Sequence, residues 1–458
     1  MPHLEEVESV DIKSMVAKAR KAQAIFEKNF SQEQVDEMVR LAGQTVYDNA
    51  HMLSKLAVEE TGMGVLEDKI AKCQGKSMGV WHDLKDKKSM GVLRVDEKTK
   101  LIEIGKAIGV IAGITPVTNP VVTPMSKIMF SLKTKNAIII APHPKARICS
   151  GLTVDLILKA LEPLGLPDGM VQIVTEPSVE KTQELMKACD LVVATGGMAM
   201  VKAAYSSGKP SYGVGAGNVQ VILDREIDFA DAAGKVIAGR KFDNGIICSG
   251  EQSFIYHQDD RAEVMAAFAA HGAYLVPEGE REQVVKAVFE NGNLARDTVG
   301  QSVAFIARKA GISIPAGTKV LVLEAKGIGE EDIICKEKMC PVLAAFSYAT
   351  FDEAIRIATA NLLLEGTGHT AGIHSNNQEH IAQAGTQIPV SRVIVNAPCA
   401  TTAGGSVEGG LAFTNTLGCG SWGGNSISEN FTYKHLLNIT RIASTAKKKT
   451  AERAPAFV

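Results

Sequence analysis

From position 109 onward the chain alternates short, wholly apolar runs with stretches of helical character, the runs falling at 109–113, 137–141, 171–174, 191–194 and 219–223. Strands that are apolar on both faces and joined by helical crossovers must be covered from both sides. That leaves an α/β fold with a parallel, doubly wound sheet as the class. A second α/β run follows Asp224, with strands expected at 253–256, 319–323, 371–374 and 392–396. Upstream, Val16, Ala19, Ala22 and Ile25 recur at helical spacing, and residues 11–74 read as two or three amphipathic helices. Residues 92–95 and 101–104 flank a polar tip and read as a hairpin, and 436–442 reads as one more strand. No internal repeat or low-complexity linker interrupts the pattern.

At 458 residues the chain exceeds a single simple core, so two or three domains are expected. Its 45% apolar and 22% charged content is ordinary for a soluble globular protein. A net charge of −2 gives no reason to expect a nucleic-acid partner. The lysines at 447–449 read as a solvated tail. Eight cysteines are scattered without paired spacing, and Cys335 and Cys340 lack the second pair or histidine cluster of a zinc site. Neither a metal nor a disulfide framework is expected. The N-terminus lacks a signal-peptide layout and no run reaches the ~18 apolar residues of a membrane span, which points to a cytoplasmic protein with no membrane partner.

Two segments carry chemistry. Phe242-Asp243-Asn244-Gly245-Ile246-Ile247-Cys248-Ser249-Gly250-Glu251-Gln252 sets one cysteine among small and amide residues, and Gly113-Ile114-Thr115-Pro116-Val117-Thr118-Asn119-Pro120 lies upstream. A thiolate attacks a carbonyl carbon and forms a covalent intermediate. The oxyanion that develops needs preorganised donors, which the Asn119 amide and the Cys248 backbone N–H supply, with Pro116 and Pro120 stiffening the loop. The other seven cysteines read as small buried hydrophobes. No histidine lies close to Cys248 in sequence, which leaves a helix N-terminus or the cofactor's charge to lower its pKa.

Together these segments resemble the aldehyde dehydrogenase superfamily, in the branch that makes acyl-CoA rather than free acid. Hydrolytic members carry a water-activating glutamate in a Glu-Leu-Gly-Gly segment; here the stretch is Gly213-Val214-Gly215-Ala216-Gly217-Asn218, with Gly213 at the glutamate position. The missing carboxylate implies acyl transfer to coenzyme A. Thr195, Gly196 and Gly197 follow an apolar strand, where glycines at a strand-to-helix turn let backbone approach a pyrophosphate; Gly215 joins them. His143, Pro144 and Lys145 end the strand expected beside the adenosine ribose. They offer cations in place of a carboxylate, which favours NADP over NAD. The resemblance makes Glu337, with Pro341, the holder of the nicotinamide ribose. His369 matches a histidine of bifunctional aldehyde–alcohol dehydrogenases, near the nicotinamide or the CoA path.

The resemblance implies a dinucleotide-binding domain (1–89 and 109–223), a catalytic domain (224–430) and an oligomerisation element (90–108 and 431–458) that makes a homodimer or homotetramer. The segments at 244–249 and 400–405 are most similar to CoA-acylating succinate-semialdehyde dehydrogenases of anaerobic bacteria. The expected reaction is reversible reduction of succinyl-CoA to succinate semialdehyde through a Cys248 thioester. Arg240, Lys241 and Lys127, together with Thr402, are candidates to meet the substrate carboxylate. Acetaldehyde or sulfoacetaldehyde acylating enzymes are the alternatives within the branch. A cysteine acyltransferase or thioesterase without a redox step is the alternative outside it.

Overall fold

A computed structural model describes residues 11–445. The tail lysines at 447–449 lie outside the described residues. Four helices open the chain: α1 (Ile12–Asn29), α2 (Gln32–Asp48), α3 (Ala50–Thr61) and α4 (Leu66–Leu84). On α1 the core stripe is Val16, Ala19, Ala22 and Phe26, whereas Ile25 is half exposed. The apolar stripe therefore steps by four at its end, and the larger Phe26 takes the inward position expected of Ile25.

Strands β1 (Gly91–Asp96) and β2 (Leu101–Ala107) form the expected hairpin. Then β3 (Val110–Ile114), α5 (Val122–Lys133), β4 (Ala137–Ala141), α6 (Arg147–Leu161), β5 (Val171–Ile173), α7 (Val179–Ala188), β6 (Leu191–Thr195), α8 (Met198–Tyr205) and β7 (Ser211–Val214) build a five-stranded parallel sheet. Its order, β5-β4-β3-β6-β7, reverses direction at β3. Such a switch point opens a crevice at the carboxyl ends of the strands, where ligands bind. The helices α1 to α4 and the crossovers seal both faces, and every residue of β3 and β4 is buried.

The second sheet has seven parallel strands in the order β10-β13-β14-β9-β8-β15-β16. In chain order its elements are β8 (Val219–Leu223), α9 (Phe229–Lys241), β9 (Glu251–His257), α10 (Arg261–Ala270), β10 (Ala273–Leu275), α11 (Glu278–Val288), a short ladder of β11 (Phe289–Glu290) and β12 (Asn293–Leu294), α12 (Val303–Ala310), β13 (Val320–Glu324), β14 (Val342–Tyr348), α13 (Phe351–Leu364), β15 (Ala371–His374), α14 (Gln378–Gln387), β16 (Val393–Val395) and α15 (Cys399–Thr402). Alternate residues of one strand feed two separate cores: Leu321 and Leu323 one, Val320 and Val322 the other. That is the period-2 geometry of a sheet covered on both faces.

Two boundaries move. Strand β8, grouped by the sequence with the first sheet, pairs with β9 and β15 of the second, because the chain crosses over after β7. Downstream, Phe413, Phe431, Tyr433 and Leu436 return to the core of the first sheet, although the sequence assigns 224–430 to the catalytic unit. Strand β17 (Leu437–Ala443) then pairs antiparallel with β2 and completes a three-stranded sheet with the hairpin. No described helix is long and apolar enough to cross a membrane.

Candidate active site

Loops at the strand ends of both parallel sheets carry the expected site residues. The carboxyl ends of β3, β4, β6 and β7 lead into Thr115–Asn119, His143, Gly196 and Gly215; the amino ends of β8, β9, β14 and β15 are entered from Gly217, Cys248, Pro341 and His369. Lys72, bonded both to Asn119 and to Asp243, ties the first set of loops to the turn that carries Cys248.

Cys248 is partly buried in the turn that feeds β9. No helix starts there, so a helix N-terminus is not what activates it. Burial pushes its thiol up to about 12, the Glu337 carboxylate and the Cys419 thiol push the same way, and Arg392 and Lys72 oppose them. The thiol is raised where a lowered one was expected. Burial also pushes Glu337 up to about 8, helped by Glu365 and opposed by Arg240. Below that pH Glu337 carries a proton, its repulsion of the sulfur vanishes, and Lys72 and Arg392 remain as the charges facing the thiol. Gly217 packs so closely that a Cβ there would overlap the Cys248 carbonyl.

Asn119 ends the loop after β3, and its carbonyl accepts from the Thr123 N–H as α5 begins. Its Oδ1 accepts from the Lys72 ammonium at 2.9 Å. Lys72 in turn donates to Asp243 at 2.5 Å. The sequence singled out neither lysine nor aspartate for a role. The available signal is on α4, where Lys69, Lys72 and Lys76 share one helical face with buried Cys73 and Val80. Cations on the apolar side of a helix are costly unless something there needs them.

Position 213 offers no room for the hydrolytic base: a Cβ would stand 2.7 Å from Val201 and 2.9 Å from the Tyr205 ring. Glycine here serves packing against α8.

The turn between β6 and α8 is open. Gly197 is the N-cap of α8 without a side-chain cap, and a Cβ on it would meet nothing within 4 Å. Uncapped N–H groups facing free space suit a pyrophosphate. The Thr195 hydroxyl lies 3.0 Å from that of Thr416. At the end of β4, the His143 ring accepts from the Lys145 N–H at 3.1 Å, and Pro144 and Lys145 are exposed beside it. Pro341 is buried directly before β14. His369 is fully enclosed, its Nδ1 is 3.0 Å from the Thr370 hydroxyl and its Nε2 has no partner among the described residues. Burial, then Arg392, push it down to about 3, so it is neutral. Among the described residues no cluster of three or more His, Cys, Asp or Glu is arranged to hold a metal ion.

Of the four expected carboxylate partners, Lys241 is exposed and two more are engaged elsewhere. Arg240 is fully enclosed and donates to the Glu251 and Gly245 carbonyls at 2.9 and 2.8 Å. Lys127 is equally enclosed and donates to the carbonyls of Ile114 and Val193. Both hold the loops of the site together from behind. Thr402 ends α15, half-buried. Lys76, not among the expected residues, is a further cation at the site. Its Nζ donates to the Gly404 carbonyl at 2.7 Å, lies 5.7 Å from the centre of the Phe413 ring, and makes no ion pair among the described residues. Burial and the neighbouring Lys72 push it down to about 8, while Cys248 and Asp83 act to raise it.

The aldehyde dehydrogenase family profile matches residues 2–433. A succinate-semialdehyde dehydrogenase (acetylating) of Clostridium kluyveri is 54% identical over 94% of this chain and 95% of its own length. A sulfoacetaldehyde dehydrogenase of Acholeplasma is 41% identical, covering 96% and 93%. Among solved structures, an acetylating aldehyde dehydrogenase from Geobacillus thermoglucosidasius superposes with a TM-score of 0.92 at 36% identity, over 96% of this chain and 98% of that one. These matches run over nearly the whole chain: it belongs to the aldehyde dehydrogenase family, in its CoA-acylating branch.

Proposed function

We propose that the protein reversibly reduces succinyl-CoA to succinate semialdehyde with NADP(H). The observation that carries the substrate is Lys76. Lys72, about one helical turn away, is bonded to the amide of Asn119, so Lys76 stands about 6 Å further along the same helix. An extended four-carbon acyl chain with bonds of about 1.5 Å spans roughly 4 Å between its end carbons. A thioester carbonyl at Asn119 therefore brings the distal carboxylate to the Lys76 ammonium, which has donors to spare after Gly404.

In this reading the Cys248 sulfur attacks the thioester carbon, and the oxyanion is held by the Asn119 Nδ2 and the Cys248 N–H. The C–S bond to coenzyme A breaks, CoA leaves as its thiol with the proton given up by Cys248, and the succinyl group stays on Cys248. When bound, the reduced nicotinamide supplies a hydride to that thioester. The same two donors hold the second oxyanion, whose collapse releases the aldehyde and returns the Cys248 thiolate. The glycine at 213 leaves water without a base at this step, which favours transfer to CoA over hydrolysis in the reverse direction. Exposed Lys145 and Arg147, neither in an ion pair among the described residues, support a 2′-phosphate on the cofactor. Val92, Val95 and Ile442 are exposed on the three-stranded sheet, which supports its use between subunits of a dimer or tetramer.

A sulfoacetyl group also carries an anion for Lys76, and the relative at 41% identity makes it the second reading. Oxidation of NADPH by the purified protein, followed by near-ultraviolet absorbance with succinyl-, sulfoacetyl- and acetyl-CoA, separates them. The proposal expects the highest kcat/KM with succinyl-CoA; preference for acetyl-CoA contradicts it.

A further inference from the structure

The buried charges behind Asn119 have a function that the acyl-transfer chemistry leaves unassigned. Asp243 is fully enclosed, and its Oδ2 accepts from Lys72 at 2.5 Å and from Lys69 at 3.1 Å. Its Oδ1 accepts from the Val65 N–H at 2.9 Å, and its own N–H goes to Asp68. Burial works to raise the carboxyl, but the two ammoniums override it and hold it below its ordinary value. Asp243 and Asn244 both adopt left-handed backbone, with φ of 51° and 52°. Such strain persists where the surroundings over-determine it. Here the Asn244 amide is tied to the carbonyls of Gly300 and Gly64, and Asp243 to two lysines. This rigid turn leads directly into Cys248.

The second bond of Lys72 is the informative one. The two ends of an asparagine amide have the same shape but opposite hydrogen-bonding sense. An ammonium only donates, so the end of Asn119 that faces Lys72 is Oδ1. The Nδ2 end is thereby turned away, and its one partner among the described residues is the Thr118 hydroxyl at 3.4 Å. An amide with an unused donor is what a developing oxyanion needs. One ammonium thus bridges the loop of the first sheet that carries the amide and the turn of the second that carries the nucleophile.

We infer that Lys72, clamped by Asp243, is a positioning residue that fixes which end of the Asn119 amide faces the reacting carbonyl. The inference rests on the acyl-transfer reading of Cys248 and Asn119. The test is a cycle of Lys72→Met, Asn119→Ala and the double variant, assayed with NADPH and succinyl-CoA (or with whichever acyl-CoA the wild type prefers). Lys72→Met is expected to lower kcat roughly 30- to 100-fold with KM within about threefold, and to cost less than about threefold more in the Asn119→Ala background. Losses that multiply in the double variant, or a raised KM with kcat intact, overturn it. If Lys72→Met does not fold, Lys72→Met combined with Asp243→Asn removes both charges of the pair and is read in the same cycle. A wild type that turns over an acyl-CoA while the losses multiply refutes the role of Lys72 alone. A wild type that reduces no acyl-CoA refutes the enzymatic reading, and this inference with it.

Discussion

Replacing Lys76 with methionine removes a charge from the proposed substrate pocket and little volume. The ammonium is half-buried, donates once to Gly404 and has no carboxylate partner among the described residues, so its remaining N–H groups are free for a substrate anion. A hydrogen bond to a charged group contributes about 1.5–3 kcal/mol. At ~1.36 kcal/mol per decade that is roughly 10- to 150-fold in kcat/KM. Any loosening of Gly404 affects all acyl chains alike. The quantity to follow is therefore the ratio of kcat/KM for succinyl-CoA to that for butyryl-CoA, which has the same chain length and no charge. Lys76→Met is expected to lower this ratio by about 10- to 150-fold, and Lys76→Arg to keep most of it. Initial rates of NADPH oxidation give both numbers. A ratio within about threefold of wild type in Lys76→Met refutes the assignment of the carboxylate to Lys76.

Further outcomes follow from the same geometry. Burial and Lys72 hold the Lys76 ammonium at about 8. It loses its proton as pH rises through that value, so the succinyl-to-butyryl ratio is predicted to fall above pH 8 and to be flat below it. The charged or titratable groups acting on Lys76 are Lys72, Cys248 and Asp83; a ratio flat to pH 9.5 contradicts the assignment. Arg240→Met strips donors from the Glu251 and Gly245 carbonyls. It is expected to cost about 3 kcal/mol of stability by denaturant titration, with KM for succinyl-CoA unchanged in the folded enzyme; a selective rise in that KM contradicts the structural role. Gly217→Ala forces a Cβ into the Cys248 carbonyl. It is predicted to reduce kcat by more than about 100-fold, and near-wild-type turnover contradicts the packing described.

Much of this architecture is legible in the sequence because its strands are covered on both sides. Residues 137–141 are Ala-Ile-Ile-Ile-Ala, and nothing but a buried parallel strand suits such a run, so β4 emerges with its observed bounds. Sheet membership is different: β8 reads as apolar whichever sheet it joins, and only the crossover after β7 decides it. Strand β14 escaped notice because the polar Glu337-Lys338 stretch runs straight into it and no turn residue other than Pro341 marks its start. At the site, Cys248 and Asn119 stand out through their motif neighbours, whereas Lys72 and Lys76 look like ordinary helix-surface lysines until α4 is seen to turn that face inward. Arg240 and Lys127 mislead for the complementary reason. Proximity in sequence to Cys248 and Asn119 puts them behind the loops, bonded to carbonyls, and not in front of them.

The most direct test is to incubate the protein with succinyl-CoA in the absence of any reductant and to measure intact and peptide mass. One succinyl group is predicted on the peptide carrying Cys248, absent in Cys248→Ala and discharged as succinate semialdehyde when NADPH is added. An unmodified Cys248, or an acyl group found on another residue, contradicts the account.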